Sequence, residues 1–257
     1  MTMPHEFEVR KEIALDATPE QVWEAIATGP GVNSWFMGQN EIEPREGGRT
    51  RMTFDGDFTQ ESTVTAWEPG RRLAYRGEPD ADGLFMAFEY LIEGREGGST
   101  VLRLVHSGFL GDDWESEYDA LTKGDGMYLR KLAVYLTHFA GRTSSANLFL
   151  VGPQVTDADR VATAYASAFG LTQPVTAGAT GRLNVDGLPA DDAVVEFADP
   201  EFLGVRTTNG LHMLVYGRNT VVVEHHAFTD DLDGKQLAAV WQAWLDRTFA
   251  EAGTGNG

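Results

Sequence analysis

Two short stretches of the sequence end in the same way, and together they decide the fold. VLRLVHSGFLGDD occupies residues 101–113, and VVVEHHAFTDD occupies residues 221–231. In each stretch, alternating apolar residues indicate a β-strand, a histidine stands near its end, and two aspartates precede a segment with helical periodicity. The repetition predicts two related structural units, each closed by a strand and a helix.

The similarity extends to the beginning of each unit. ATPEQVWEAIATG (residues 17–29) and VTDADRVATAYASAFG (residues 155–170) both predict a capped helix after a strand, with Thr18 and Thr156 as capping residues. The two threonines are 138 positions apart, whereas His106 and His225 are 119 apart, so the second copy is shorter by 19 residues. We interpret the pattern as a tandem duplication whose second copy has lost strand material; chance similarity is the alternative.

Between these landmarks, the first half of the chain reads as a strand-rich domain. A strand at residues 7–15 precedes the helix at Thr18, and GVNSWFMG predicts a second short helix. Turns at REGG, DGD, EPG, DADG and EGREGG leave five or six antiparallel strands between residues 40 and 109. From Asp113 the apolar period changes and predicts a helix of about 28 residues. Gly124 and Gly126 interrupt it and predict a kink or a close approach, since each costs about 1 kcal/mol in a helix.

The second half of the chain repeats this order with fewer elements. A segment at residues 171–193, rich in Gly, Thr and Asp, predicts a loop, and three strands follow in FLGVRTT, LHMLVYG and TVVVEHHAF. A last helix carries apolar residues on one face. The predicted organisation is therefore a domain at 1–142, a linker at 143–146, a second domain at 147–250 and a flexible tail at 251–257.

Composition narrows the classes of function. Lys and Arg total 20 against 39 Asp and Glu, so the 257-residue acidic chain carries a net charge of −19 and repels phosphate backbones. We expect no nucleic-acid partner. The longest apolar runs are too short to span a bilayer, and a signal peptide is not recognisable, so we expect a cytoplasmic protein without membrane insertion. The absence of cysteine excludes disulfides and thiolate metal sites.

Several motifs in residues 6–142 are those of one known superfamily. A Trp-aromatic pair, Trp35-Phe36, follows the second helix, and a Gly-Gly turn stands at residues 47–48. A Trp-Glu-Pro turn followed by Arg-Leu occupies residues 67–73, and a strand ends in His-x-Gly-Phe at residues 106–109. These residues resemble the START and birch-pollen-allergen (SRPBCC) superfamily, in the branch similar to the C-terminal domain of the heat-shock-protein ATPase activator. Residues 147–250 resemble it only in topology, because the first and third motifs are missing there.

The resemblance implies an α+β helix-grip fold, a curved antiparallel sheet wrapped around a long C-terminal helix, followed by a second, reduced helix-grip-like domain. It also implies a cavity between sheet and helix, which members use for lipids, hydrophobic metabolites or polyketide intermediates, without implying one activity. We therefore expect the first domain to bind a small hydrophobic molecule. Strand alternation, the helix face and the aromatic pair predict the binding residues Trp35, Phe36, Met86, Phe88, Tyr90, Leu104, His106, Tyr118, Leu121, Asp125 and Tyr128.

Two other functions remain open. An enzyme of the cyclase, dehydratase or hydrolase type would act on a cavity-bound substrate, with His106, Asp125 or Tyr90 as candidate proton-transfer groups, although the sequence does not fix the catalytic residues. An interaction protein similar to a chaperone regulator, with a protein partner or as a homodimer, is the other alternative.

The candidate residues also have structural interpretations. His106 suits acid–base chemistry at neutral pH, but a histidine at a strand end can instead bond to the cap of the following helix. Asp125 can face a polar cavity or turn towards solvent. His225 and His226 stand close to Asp230 and Asp231, yet adjacent strand residues point to opposite faces, so no metal site is predicted. The nucleophile-elbow, metalloprotease, P-loop and dinucleotide motifs are absent, and no cofactor is expected.

Overall fold

The computed structural model describes residues 4–54, 58–229 and 232–250. The predicted turn at residues 55–57, the aspartates at 230 and 231 and the predicted tail at 251–257 lie outside this description. The chain divides into two units between Thr143 and Ser144. Among the described residues, no helix is both long and apolar enough to cross a membrane.

The first unit contains one antiparallel sheet and three α-helices. Its elements are β1 (His5–Leu15), α1 (Pro19–Ala27), α2 (Gly29–Asn33), β2 (Gln39–Ile42), β3 (Arg49–Thr53), β4 (Thr59–Glu68), β5 (Arg72–Arg76), β6 (Phe85–Gly94), β7 (Thr100–Leu110) and α3 (Trp114–His138). The strand order is β1-β7-β6-β5-β4-β3-β2, so the first strand pairs with the last one. This is the predicted helix-grip arrangement, with the long helix following the strand that pairs with β1.

The entry into α1 follows the capping chemistry predicted for Thr18. The Thr18 hydroxyl accepts a hydrogen bond from the Gln21 backbone N–H at 3.3 Å, and the Gln21 side chain accepts one from the Thr18 N–H at 2.9 Å. Pro19 occupies the first turn, where a missing N–H costs no helical hydrogen bond. This reciprocal cap turns the chain from β1 directly into the helix.

Helix α3 is buried more deeply towards its C-terminal end. Its buried residues begin at Asp125, and they are Asp125, Met127, Leu129, Lys131, Leu132, Val134, Tyr135 and Leu136. Residues 114–124 bury none. The helix runs through Gly124 and Gly126 without interruption, and a Cβ at either would meet nothing within 4 Å. The expected close approach at these glycines is therefore wrong.

The second unit repeats the topology with one strand and one helix fewer. Its elements are β8 (Ala146–Gln154), α4 (Ala158–Ala168), β9 (Thr180–Arg182), β10 (Asp192–Ala198), β11 (Phe202–Thr207), β12 (Gly210–Gly217), β13 (Thr220–Ala227) and α5 (Gly234–Phe249). The strand order is β8-β13-β12-β11-β10-β9, so the first strand again pairs with the last. The predicted reduced helix-grip arrangement is confirmed.

Two details of the second unit differ from the sequence prediction. Five strands follow α4, not three, because β9 has only three residues and β10 begins inside the segment taken for a loop. Leu183 and Val185 anchor that segment in the core, with exposures of 4% and 3%. The cap of α4 is Asp157, not Thr156, since the Asp157 carboxylate accepts from the Arg160 N–H at 3.0 Å.

Gly126→Ala is expected to stabilise the first unit. Because the position is helical and open around its missing Cβ, alanine should raise the free energy of unfolding by about 0.5–1 kcal/mol. Urea unfolding of the full chain measures the change, and hydrogen exchange of α3 assigns the transition.

Gly108→Ala is the matched control, because a Cβ at Gly108 would lie 2.0 Å from the Phe85 carbonyl oxygen. It should destabilise the same unit. A destabilising Gly126→Ala would contradict the open surroundings described for that position.

Candidate functional site

A cavity of about 300 Å³ lies in the first unit beneath the middle of α3. From α3 it is lined by Ala120, Leu121, Gly124, Asp125 and Tyr128. Nine of the eleven residues predicted to bind a ligand line it, and these are Trp35, Phe36, Met86, Phe88, Tyr90, His106, Leu121, Asp125 and Tyr128. Its walls are therefore mainly aromatic and aliphatic.

The other two predicted residues do not line the cavity. Leu104 shares a strand face with His106 but lies two residues closer to the start of β7, and it is 4% exposed. It therefore belongs to the packed part of the sheet. Tyr118 lies in the unburied half of α3, and 37% of its surface is exposed. Helical periodicity placed Tyr118 on the same face as Leu121, which lines the cavity, but could not show that Tyr118 itself lies outside the lining.

Sequence reasoning missed the cavity residues on the far strands of the sheet. Tyr75 on β5 pairs with Phe88 across the sheet, and Thr50, Met52, Gln60 and Ser62 line the cavity from β3 and β4. The sequence does contain a signal for Tyr75. Tyr75 lies two residues after the fully buried Leu73 on the same strand, so both side chains face the same side of the sheet. The short strand β3 and the polar first half of β4 carry no comparable apolar alternation.

His106 and Asp125 meet beside this cavity. His106 Nδ1 lies 3.0 Å from Asp125 Oδ2 and 3.2 Å from Oδ1. An ionised carboxylate can only accept, so opposite an ionised Asp125 the Nδ1 atom carries a proton and donates it. The His106 ring stacks on Phe88 with centroids 3.9 Å apart, and Phe7 meets it edge-on at 5.2 Å.

This geometry rules out the cap-bonded interpretation of His106 and the solvent-facing interpretation of Asp125. His106 bonds to a side chain in the middle of α3, and the capping residue Asp113 makes no side-chain cap bond. Asp125 faces inward and is 9% exposed, so it does not turn towards solvent. The Nε2 atom of His106 is buried and has no hydrogen-bond partner within the described residues. A neutral imidazole is favoured, because a proton on Nε2 would be a buried donor without an acceptor.

Tyr75 and Tyr90 form a second polar pair in the cavity. Burial raises the pKa of Tyr75 to about 12, although a hydrogen bond from Tyr90 acts to lower it. Burial is also the main reason that the pKa of Tyr90 is raised well above its ordinary value, with the nearby Tyr75 and Asp125 adding to the effect. Both hydroxyls therefore keep their protons at neutral pH and can donate hydrogen bonds.

The corresponding histidine of the second unit has a different partner. His225 on β13 accepts a hydrogen bond from Trp241 Nε1 on α5 at 3.1 Å, and Trp241 is completely buried. His212 is the cross-strand neighbour of His225, as Phe88 is of His106. An indole on α5 thus contacts His225, whereas a carboxylate on α3 contacts His106. A separate cavity of about 530 Å³ lies beside α4.

The sequence identifies the family of the first unit. Residues 16–137 match the family described as Activator of Hsp90 ATPase homolog 1-like protein. The first unit belongs to this family, within the SRPBCC superfamily, as its motifs predicted. A comparison of the chain with curated proteins finds no match.

Several solved structures are similar to the chain. Protein MLL2253 from Mesorhizobium loti is 25% identical, and the match covers 52% of this chain and 98% of that one with a TM-score of 0.46. DynU16, a protein in the dynemicin biosynthetic locus, is 19% identical over 93% of this chain and 96% of its own, with a TM-score of 0.45. The di-domain ARO/CYC BexL from the BE-7585A biosynthetic pathway is 14% identical over 92% and 88%, with a TM-score of 0.46.

Tyr75→Phe is expected to reduce the loss of stability at high pH. A tyrosine whose pKa rises from 10.0 to about 12 on folding contributes stability that is intact below pH 10 and lost as the pH rises towards 12. Over that range, the free energy of unfolding should fall less steeply in the variant than in wild type, by up to about 1.4 kcal/mol per pH unit.

Urea unfolding at a series of alkaline pH values measures this difference. Tyr118→Phe is the control, because it removes a hydroxyl from a side chain that is exposed and outside the cavity. Parallel curves for wild type and Tyr75→Phe would contradict the burial of the Tyr75 hydroxyl.

Proposed function

We propose that the first unit binds a small, mainly apolar molecule in the cavity beneath α3. The single observation that carries this proposal is an aromatic-walled cavity with a few polar groups, which is the common form of a small-molecule site. A volume of about 300 Å³ suits a compact molecule of one or two rings better than a long acyl chain.

The second unit is proposed to be a reduced copy that supports the first by stability or assembly. Its matching strand order and its strand-end histidine favour duplication of one ancestral unit. The fully buried Trp241 at the position facing His225 favours a packed role there over ligand binding. We propose the same domain limits that the sequence predicts, residues 1–142 and residues 147–250.

Gly124→Leu is expected to block ligand binding. Gly124 lines the cavity, and a Cβ there meets nothing within 4 Å, so a leucine would project into free space needed by a ligand. The affinity for an uncharged aromatic probe such as N-phenyl-1-naphthylamine, or for a ligand retained in native mass spectrometry, should fall by about tenfold or more.

Gly126→Leu is the matched control, because Gly126 lies in the same helix with equally open surroundings but does not line the cavity. Equal binding by both variants and wild type, or no binding of any probe or co-purified molecule, would overturn the proposed function.

A second candidate function is proton transfer to a bound molecule. The observation that favours it is the contact between His106 and Asp125 at the cavity, because a carboxylate oriented by a histidine is a suitable proton acceptor. The Tyr75 hydroxyl, which accepts a hydrogen bond from Tyr90, can donate its own proton to an oxygen that gains charge when a neighbouring carbon loses its proton.

Deuterium exchange into β-tetralone tests this candidate. The ketone loses a proton from the carbon next to its carbonyl and regains a deuteron from heavy water, so no other reactant is required. Asp125→Asn should reduce the catalysed exchange by about a hundredfold or more, followed by proton NMR. Exchange at the rate of buffer alone, or unchanged by the substitution, would exclude the candidate.

A further inference from the structure

Asp125 is a buried carboxylate without a permanent cationic partner. Its only ion-pair contact is with His106, and no Lys or Arg of the described chain lies within salt-bridge distance of it. The side chain of Asp125 is 11% exposed and that of His106 is 2% exposed. A buried charge is costly unless an opposite charge or hydrogen bonds stabilise it.

His106 is a poor source of that opposite charge. Protonation would place a second N–H on Nε2, which is buried and has no acceptor among the described residues. The ring lies against Phe88 and Phe7, which supply no hydrogen-bond acceptor of oxygen or nitrogen. The favoured state is a neutral histidine that donates from Nδ1 to an ionised Asp125.

The other charged residues of the cavity do not neutralise Asp125. Glu41 and Arg51 lie at the exposed edge of the lining, on neighbouring strands β2 and β3. Arg51 already makes two hydrogen bonds to Glu61, of 2.7 Å and 3.0 Å. Tyr75 and Tyr90 keep their protons at neutral pH. The cavity therefore carries negative charge at Asp125, and Glu41 adds to it at the edge.

The cavity walls suit a cation with an aromatic body. Phe36 and Tyr128 lie side by side with centroids 4.5 Å apart, and Trp35 contacts Phe36 at 5.3 Å. Aromatic faces attract cations and stack on other rings. The Trp35 N–H is already donated to the Ala25 carbonyl at 2.9 Å, so this wall offers ring surface without a free donor.

We propose that the cavity selects a cationic aromatic amphiphile, whose protonated amine bonds to Asp125 while its ring packs against Trp35, Phe36 and Tyr128. This inference rests on the proposed ligand-binding function and gives its ligand a chemical class. An ammonium group would supply the charge that Asp125 lacks, whereas a carboxylate ligand would add a second buried negative charge. The net charge of −19 also concentrates cations near the protein.

Three ligands of equal shape and different charge test the proposal. They are naphthylmethylamine, naphthylmethanol and naphthoate, all substituted at the same ring position and titrated by calorimetry at neutral pH. The amine should bind about tenfold or more tightly than the alcohol, the ratio expected of one charge-assisted hydrogen bond. The naphthoate should bind more weakly than the alcohol.

Asp125→Asn should remove the preference for the amine, so that amine and alcohol bind the variant with equal affinity, and a circular dichroism spectrum equal to that of wild type shows that the variant is folded. Glu41→Gln is the control for general electrostatic attraction, because it removes a negative charge at the exposed edge of the cavity. This variant should keep most of the preference for the amine. A preference that survives Asp125→Asn would overturn the proposal.

Two further outcomes separate this inference from the proposed function. Equal affinity for amine and alcohol in wild type would overturn the charge selectivity and leave ligand binding intact. If none of the three ligands binds, the charge selectivity is also overturned. The comparison of Gly124→Leu with Gly126→Leu then decides whether the proposed ligand binding stands.

Discussion

The attachment of α3 at both of its ends is the constraint on which the site depends. Leu132 is completely buried, and the Tyr135 hydroxyl bonds to the Arg142 carbonyl at 2.9 Å, so the C-terminal half is held firmly. At the other end, Trp114 stacks on His5 of β1 with centroids 5.1 Å apart. The cavity lies between these two contacts, beneath residues 120–128 of the helix.

Most of the first unit could be predicted because its strands alternate clearly and its helices have strong caps. The sequence was sufficient to predict the Thr18 cap, the strand-end His106 and the aromatic pair at Trp35. The partner of His106 was not, because Asp112, Asp113 and Glu115 all lie nearer in sequence than Asp125. Only the angle between β7 and α3 decides which carboxylate reaches the ring, and that angle is a tertiary property. Strands β9 and β10 were missed for a related reason, since long-range pairing stabilises them more than their own residues do.

The two units show how one framework yields different interiors. In both, the last strand places a histidine below the following helix, against a ring on the neighbouring strand. A carboxylate on the helix leaves a charged, partly hollow site around His106. An indole in that role around His225 gives a hydrogen-bonded and filled core, in which His212 and His225 have ring centroids 4.0 Å apart. The difference between a binding site and a packed core therefore lies in the helix residue more than in the sheet.

The hydrogen bond from Trp35 to Ala25 has a consequence for how such a site could diversify. It ties one wall to the backbone of α1, so replacing Trp35 would disturb the helix as well as the cavity. Met37 and Met52 border the same space, from the loop after α2 and from β3, without a comparable tie, and both are unbranched and adaptable. Substitutions that change which molecule such a cavity accepts should therefore accumulate along this side of the sheet, while the Trp35 side chain stays the same.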